Sequence, residues 1–472
     1  MVYGNIVMGT IPLGDISAHD GPKYRAVAEM IRAAVVSGKL KESDKLPPVR
    51  DLAWDLKITP GTVARAYTLL TDEGLLQAEV GRGTFVAPQG ATGGPASDLL
   101  IQNPPRDSGI VSLFSPRLPD VGQVDAIRRA LRQVAESPEI DLLNYPSAGA
   151  SDHVRRAAAS WLSTAQLGPV NPDKLVFTHG GQNGISLVMQ CVLRGRRPVI
   201  LVEELSYPGF RRAAELLRAE VVPVPMDAQG VIPEELDRLA RTHSAQLFCT
   251  SPEVQSPTCT MTPLERRKAV AEVARTQGFD ILEDDCYRLA EARLPGYRML
   301  LPDQTWYVAS ISKLLTPSLR IGFAIAPRNN DTDLRRAAEF GYFGLSTPLA
   351  EMIGVLLGTD AIARLAADVR AEVARYIRAA VNTLGGYDLS WNEDVPFFWL
   401  RLPEGWRVSA FCQAAEAQGL KIRSAEDFAM RDARVPHAVR IAVNAHVTLA
   451  SFEAAMLRLR HLLDKPPENI GV

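Results

Sequence analysis

No apolar run in this 472-residue chain approaches the roughly 20 residues that a membrane-spanning helix needs. Residues 1–14 lack a cationic start ahead of their apolar stretch, so a secretory leader is not expected either. Cysteine is sparse: Cys191, Cys249, Cys259, Cys286 and Cys412 are scattered and form no CxxC pair. That spacing argues against a zinc site and a disulfide framework, and makes the cytoplasm the expected compartment. An excess of one charge is missing too, since 52 Lys+Arg stand against 54 Asp+Glu. A nucleic-acid partner must therefore be argued from a local site. Internal repeats at solenoid periods are absent.

What is present is a globular composition, 46% hydrophobic and 22% charged, which excludes disorder, collagen and coiled coil as the main architecture. The length exceeds the roughly 100–200 residues of one ordinary domain, so two or three are expected. Composition breaks once, between Pro88 and Gly109, in PQGATGGPASDLLIQNPPRDSG. No apolar period of 2 or 3.6 survives there, which marks a linker over about 89–108. Folded units are expected over 15–88 and 109–465, with a smaller subdomain from about 335.

Ahead of the linker, Val27, Met30, Ile31, Ala34 and Val35 make a helical stripe within Tyr24–Val36. Short helices at Pro48–Leu56 and Gly61–Glu73 follow, then two strands in LLQAEVGRGTFV around Gly81-Arg82-Gly83. Three helices and a hairpin in that order describe a winged helix-turn-helix. On the third helix Val63, Tyr67 and Leu70 share one face, and Thr62 and Arg65 another. The second face suits a recognition helix in the major groove, with Arg50, Gly81 and Arg82 flanking as phosphate or minor-groove contacts. Spacing alone equally fits ordinary solvated positions on a helical cap.

Behind the linker, strand candidates alternate with helical segments: Leu175–Thr178, Pro198–Val202, Val221–Pro225, Gln246–Thr250, Asp280–Glu283, Thr305–Ser310 and Ile321–Ala326. Helical patterns lie at Gly184–Leu193, Tyr207–Ala219, Pro233–Thr242 and Pro263–Gln277. The alternation predicts an α/β unit with a mainly parallel seven-stranded sheet covered on both faces, whose ligands sit at the strands' carboxyl ends. The polar candidates fall there. Lys313, after the apolar WYVAS, is placed for partial desolvation, which favours a neutral, nucleophilic amine. EDDCY puts Asp284 at a strand end with Tyr287 three residues on, suited to a pyridine nitrogen and a ring hydroxyl. Asp285 reads better as a cap of a following helix. THGGQNG offers N–H groups at Gly181 and Gln182 to a phosphate, and Ser310, Ser312 and Arg320 complete a cup. Tyr207 suits stacking on a flat ring, or plain core packing beside Pro208.

Resemblance sharpens both halves. LPPVRDLA, TVARAY, EGLL and GRGTFV resemble the DNA-binding domain of the GntR family of bacterial regulators. Pro60-Gly61 replaces the Arg-x or Asn-x usual in that family before the TV pair, which removes a base or phosphate contact. THGGQNG, SYPGF, EDDCY, SISK and VRIAVN together resemble fold-type I pyridoxal-phosphate enzymes, the class I/II aminotransferases, with a smaller C-terminal α+β subdomain. The resemblance implies pyridoxal 5′-phosphate as cofactor, Lys313 as its Schiff-base lysine, Asp284 as the pyridinium partner, Tyr287 as ring-hydroxyl donor and Tyr207 as stacking aromatic. It implies a phosphate cup of Gly181, Gln182, Ser310, Ser312 and Arg320, joined by Tyr145 from a neighbouring subunit. Arg440 resembles the arginine that pairs with a substrate carboxylate. In SPEVQSPTCTM, Ser256 stands where aminotransferases carry an Asn, and Cys259 where they carry a Gly. A GntR-type head fused to such a domain is the layout of the MocR/GabR group, which implies a homodimeric transcriptional regulator of promoter DNA that senses the cofactor or an amine or amino-acid effector. An active aminotransferase with an appended DNA-binding head is the alternative, favoured by Lys313, Asp284 and Arg440 and opposed by Ser256. A cofactor-free scaffold is the third reading.

Overall fold

The computed structural model describes residues 23–41, 44–72, 75–79, 83–87, 110–146, 151–328, 330–430 and 433–465, in two compact units that divide after Leu100. Gly81 and Arg82 lie outside the described residues.

The first unit holds helices α1 (Lys23–Val36), α2 (Val49–Asp55) and α3 (Pro60–Asp72), then strands β1 (Leu76–Glu79) and β2 (Gly83–Val86). The strands pair antiparallel with Leu76 opposite Val86. Val27, Ile31 and Val35 of α1 pack with Leu52 of α2 and with Val63, Ala66 and Leu70 of α3. Those positions recur every three or four residues, so burial of one stripe per helix closes the core. Tyr67 fixes α3 to the chain before α2, its hydroxyl donating to the Pro47 carbonyl at 2.8 Å.

The second unit is built on seven strands: β3 (Leu175–Thr178), β4 (Val199–Glu203), β5 (Glu220–Val224), β6 (Leu247–Thr250), β7 (Asp280–Asp284), β8 (Thr305–Ser310) and β9 (Gly322–Ile325). Their order is β3-β9-β8-β7-β6-β4-β5, with only β9 antiparallel to its neighbours. Near-continuous apolar runs fit strands buried on both faces. Ile200, Val202, Leu282 and Val308 face one side, where α6 (Gly181–Val192) and α7 (Pro208–Leu216) cover them. Val199, Leu201, Phe248 and Ile281 face the other, under α8 (Pro233–His243) and α9 (Leu264–Gln277). Helices α4 (Gln123–Glu136) and α5 (Asp152–Leu162) extend that second layer over Phe177 and Phe323, together with α11 (Thr347–Leu357). The helix α10 (Asp331–Tyr342) packs on the first side through Leu334 and Ala338.

The long α12 (Asp360–Leu384) leads to a four-stranded antiparallel sheet of β10 (Leu389–Ser390), β11 (Phe397–Arg401), β12 (Arg423–Ser424) and β13 (Ala438–Ala442), ordered β10-β11-β13-β12. Helices α13 (Val408–Ala417) and α14 (Leu449–Leu463) share its core with α12. Residues Val111–Ser112 pair parallel with Leu420–Lys421, so the first described segment of this unit is built into its last layer.

Most element boundaries shift by about a residue from expectation, and two helix ends shift by a larger step. The helix expected from Gly184 begins at Gly181, which brings its N-terminus to the turn after β3. The helix expected to run to Ala219 ends at Leu216, because Arg218 turns left-handed at φ 56° and Ala219 N–H bonds back to the Ala214 carbonyl.

One buried cation pins the loops beside the sheet. Arg267 of α9 is 1% exposed; it donates to the carbonyls of Thr262, Pro252 and Pro295 and pairs with Glu253 at 2.7 Å. Arg267→Met strands the half-buried Glu253 carboxylate and those carbonyls. It should cost about 3–5 kcal/mol in urea unfolding of the second unit.

Candidate functional site

The carboxyl ends of the parallel strands place a polar residue each: Glu203 on β4, Thr250 on β6, Asp284 on β7 and Ser310 on β8. Beside them Gly322 lies in register between Ser310 and Thr178. A Cβ at Gly322 would meet Thr178 Oγ1 at 2.7 Å and the Gly180 carbonyl carbon at 2.8 Å, so glycine lets the phosphate-type turn approach β8.

That turn feeds α6, whose first residues carry no side-chain cap. Its leading N–H groups, at Gly181 and Gln182, have no intrahelical acceptor. Gln182 donates from Nε2 to the Gly209 carbonyl, while its buried Oε1 has no partner. Ser310 and Ser312 stand opposite with their hydroxyls 2.8 Å apart. Arg320 reaches the same turn, donating from Nη2 to the His179 carbonyl at 3.4 Å. Free helix N–H groups, two hydroxyls and a guanidinium form an anion cradle that fits a phosphate.

Lys313 ends a single 3-10 turn after β8, its Nζ 5.4 Å from the centre of the Tyr287 ring. Burial alone would raise the Tyr287 phenol, but the charges of Lys313, Arg440 and Arg423 outweigh it and hold the group below its ordinary value. Asp284 accepts from Cys286 N–H at 3.0 Å, and burial pushes its carboxyl up to about 6. A cationic ring N–H is the partner that such a desolvated carboxylate lacks. Burial, with Tyr287 and Asp284 beside it, raises the Tyr207 phenol, so Tyr207 presents a neutral ring. That ring stands edge-on to Phe210 at 6.0 Å.

Arg440 on β13 is 1% exposed, between the Phe397 ring at 5.0 Å and the Phe428 ring at 4.6 Å. Its Nη1 donates to Ser256 Oγ at 3.1 Å and its Nη2 to the Phe114 carbonyl at 3.0 Å. Nε has no partner, and no carboxylate pairs with it among the described residues. A buried guanidinium without an acid has the charge and a free donor with which to pair with an incoming carboxylate.

The remaining candidates lie elsewhere. Tyr145 is 81% exposed, its ring beside Phe343 at 5.3 Å. In the first unit Arg50 and Arg65 are exposed and Thr62 is half-buried, bonded to the Thr59 hydroxyl at 2.9 Å. The Arg65 guanidinium lies 4.3 Å from the Tyr24 ring centre, stacked where α1 begins. Asp285 caps no helix: a turn follows β7, and its carboxylate takes Arg288 Nε at 2.6 Å and the Tyr307 hydroxyl at 2.5 Å. Burial pushes the thiols of Cys286 and Cys259 up, which favours the protonated form of both.

Sequence reasoning missed three groups. Glu203, 1% exposed, accepts from Thr250 Oγ1 at 2.7 Å and from Gln255 Nε2 at 3.0 Å, and Gln255 carries the chain into Ser256. Phe114 and Arg423 adjoin Arg440 without a motif to mark them: the Phe114 carbonyl accepts from Arg440, and the Arg423 guanidinium lies 4.5 Å from the Phe114 ring centre. An alternating apolar run ending in arginine was the available signal at Leu420–Arg423, and it gives no facing direction.

Residues 116–459 match the family model described as aminotransferase class I and II. The chain belongs to that family. Residues 23–86 match the gntR family of bacterial regulatory proteins, so the architecture is of the MocR/GabR type. The HTH-type transcriptional regulator YdeF of Bacillus subtilis is 26% identical over 452 residues, covering 95% of this chain and 96% of the relative. The pyridoxine biosynthesis transcriptional regulator PdxR of Corynebacterium glutamicum is 29% identical over 311 residues, covering 64% of this chain and 65% of its own. An archaeal alanine:glyoxylate aminotransferase structure superposes with TM-score 0.67 at 20% identity, over 75% of this chain and 91% of that one. The aminotransferase family is pyridoxal-phosphate dependent.

The buried glutamate gives a pH test. Burial raises the Glu203 carboxyl from 4.5 to about 7, so the folded state holds a proton that the unfolded state releases between those values. Stability from this group is fully present below 4.5 and is lost as pH rises through about 7. Glu203→Gln removes that loss. Comparing melts of both proteins, the variant should gain on wild type from pH 5 to pH 8 by up to about 3 kcal/mol.

Proposed function

We propose that the protein is a transcriptional regulator that reads promoter DNA through α3 and holds pyridoxal 5′-phosphate and an amino-acid or amine effector in its second unit. The observation that carries this reading over the enzymatic one is Ser256. Its hydroxyl accepts from Arg440 Nη1 at 3.1 Å, where a transaminase would present an amide to the cofactor's ring hydroxyl. Arg440 is thereby fixed for capturing a carboxylate, while electron steering at the ring is weakened.

Lys313 would hold the cofactor covalently, with Asp284 keeping a proton on the ring nitrogen. Tyr287 would donate to the ring hydroxyl and Tyr207 would cover one face. Gly181, Gln182, Ser310, Ser312 and Arg320 would cradle the phosphate. Bound there, the cofactor supplies an electrophilic aldehyde and an electron-withdrawing ring. Arg440 and Ser256 orient the effector's carboxylate. Tyr145, with Leu142, Leu143 and Phe343, presents an exposed apolar patch that supports a homodimer in which Tyr145 reaches the other subunit's phosphate. Two copies supply two reading heads for a paired operator site. The units are taken as 15–88 and 109–465 about the 89–108 linker, acting in the cytoplasm. An effector shifts promoter affinity only if it binds one arrangement of the units better than another.

Borohydride treatment after loading should leave the cofactor on the Lys313 peptide. In promoter titrations, Lys313→Ala should retain DNA binding and lose its response to pyridoxal phosphate and amines, with slow or no transamination by wild type. Promoter curves indifferent to every ligand, together with rapid donor turnover, would favour the aminotransferase instead.

Arg65→Ala should weaken specific promoter binding by about tenfold to a hundredfold if Arg65 reads a base edge. Contact with phosphate alone would instead lower affinity on all sequences and reduce the salt slope by about one.

A further inference from the structure

Arg423 and Arg440 are Cα partners across β12 and β13. Directly opposed residues on neighbouring strands hold their side chains together on one face, and like charges there repel. Both are buried, at 4% and 1% exposure. The guanidiniums survive this by stacking. Arg423 lies 4.5 Å from the Phe114 ring and 4.5 Å from Phe428, and Arg440 lies 4.6 Å from Phe428 and 5.0 Å from Phe397. Phe428 is thus shared by two cations.

Stacking satisfies ring faces and leaves the charge uncompensated. Asp427 is the one carboxylate paired with either arginine among the described residues, and it takes Arg423 through Nε alone at 3.2 Å. The two Nη groups of Arg423 make no hydrogen bond to a described residue. Burial and the facing Arg440 charge push the Arg423 guanidinium down to about 10. Lys421, 6.0 Å from the Phe114 ring, adds to the same sign. Lys313 joins from the cofactor side, through the Tyr287 ring, which stands 5.1 Å from Phe397. Two buried arginines share one acid, so positive charge is left over, and unused donors remain on both: the Nη groups of Arg423 and the Nε of Arg440.

We propose that Arg423 forms a second anion subsite beside Arg440, and that the effector is an α-amino acid whose side chain ends in a second carboxylate. This rests on the effector-sensing reading above. Arg440 takes the α-carboxylate. The side-chain carboxylate accepts from the Nη groups of Arg423, which stays stacked between Phe114 and Phe428 and paired with Asp427. An amide in that position offers neither the charge nor the second acceptor oxygen.

The test is calorimetric titration of the full chain, loaded with pyridoxal phosphate, using L-glutamate against L-glutamine and L-aspartate against L-asparagine. At least one acid should bind about tenfold to a hundredfold more tightly than its amide, and the same acid should shift the promoter titration. Arg423→Gln should bring the acid-to-amide ratio to about one, and Arg423→Lys should keep part of the preference. Asp427→Asn, which frees the whole guanidinium, should raise the ratio and decides the matter if Arg423→Gln does not fold. Equal affinity for acid and amide in both pairs overturns the subsite while leaving effector sensing intact. An acid preference that survives Arg423→Gln unchanged also overturns it. Failure of all four amino acids to bind overturns this proposal alone, because the sensing reading is decided by the promoter titrations with pyridoxal phosphate and amines.

Discussion

A buried guanidinium holds the second unit's site together. Arg440 donates to the Phe114 carbonyl, to the Ser256 hydroxyl, and stacks on Phe397 and Phe428. Four stretches distant in sequence therefore converge on one side chain: the segment after the linker, the loop after β6, β11 and the turn before β13. Backbone pairing already ties the first stretch to the small sheet and β11 to β13, and the guanidinium adds the Ser256 loop and the Phe428 ring to them. With it, each must supply a lone pair or a ring face, and the arrangement has little slack. The position of the loop at Ser256 is fixed a second time from the opposite side, by Gln255 on Glu203.

The other requirement is close approach at the sheet. The phosphate-type turn belongs to β3, while Lys313 follows β8, and they are separated by β9 in the sheet order. Gly322 on β9 removes the side chain that would keep them apart, and Gly181 performs the same service under Cys286, whose Sγ would lie 2.3 Å from a Cβ there. These are packing demands, so the glycines serve the site by what they do not place in it.

Much of this was legible in the sequence for a physical reason. β3 and β8 begin and end where their apolar runs do, since strands buried on both faces tolerate no polar interior. Lys313, Asp284 and Tyr287 stand at the ends of such runs, where the motif spacing fixes them relative to a strand terminus. What was not legible depends on register between distant strands. At Ile422 the chain leaves the pairing with Val111–Ser112 and enters the small sheet, so alternation through Leu420 and Ile422 does not carry over to Arg423. Asp285 was misread for a related reason. A carboxylate after a strand suggests a helix cap, but the Arg288 and Tyr307 partners that claim it come from a turn and from the neighbouring strand.

The division of charge across the site bears on why the chain carries Ser256. Acid lies on the sheet side, where Asp284 and Glu203 are buried and raised, and positive charge lies on the small-sheet side at Arg440 and Arg423. A ligand with an amine toward Lys313 and a carboxylate toward Arg440 spans that division, gaining from the positive side before any bond is rearranged. Catalysis needs interactions that strengthen in the transition state, and equal stabilisation of the bound ligand does nothing for the rate. A sensor has the opposite requirement: it profits from strong binding of the ligand as it arrives, because only that difference in affinity shifts an equilibrium between domain arrangements. On the proposed reading, exchanging the steering amide for a hydroxyl that supports Arg440 would move the site from the first requirement toward the second. The head with its exposed α3 is where such a shift would be read.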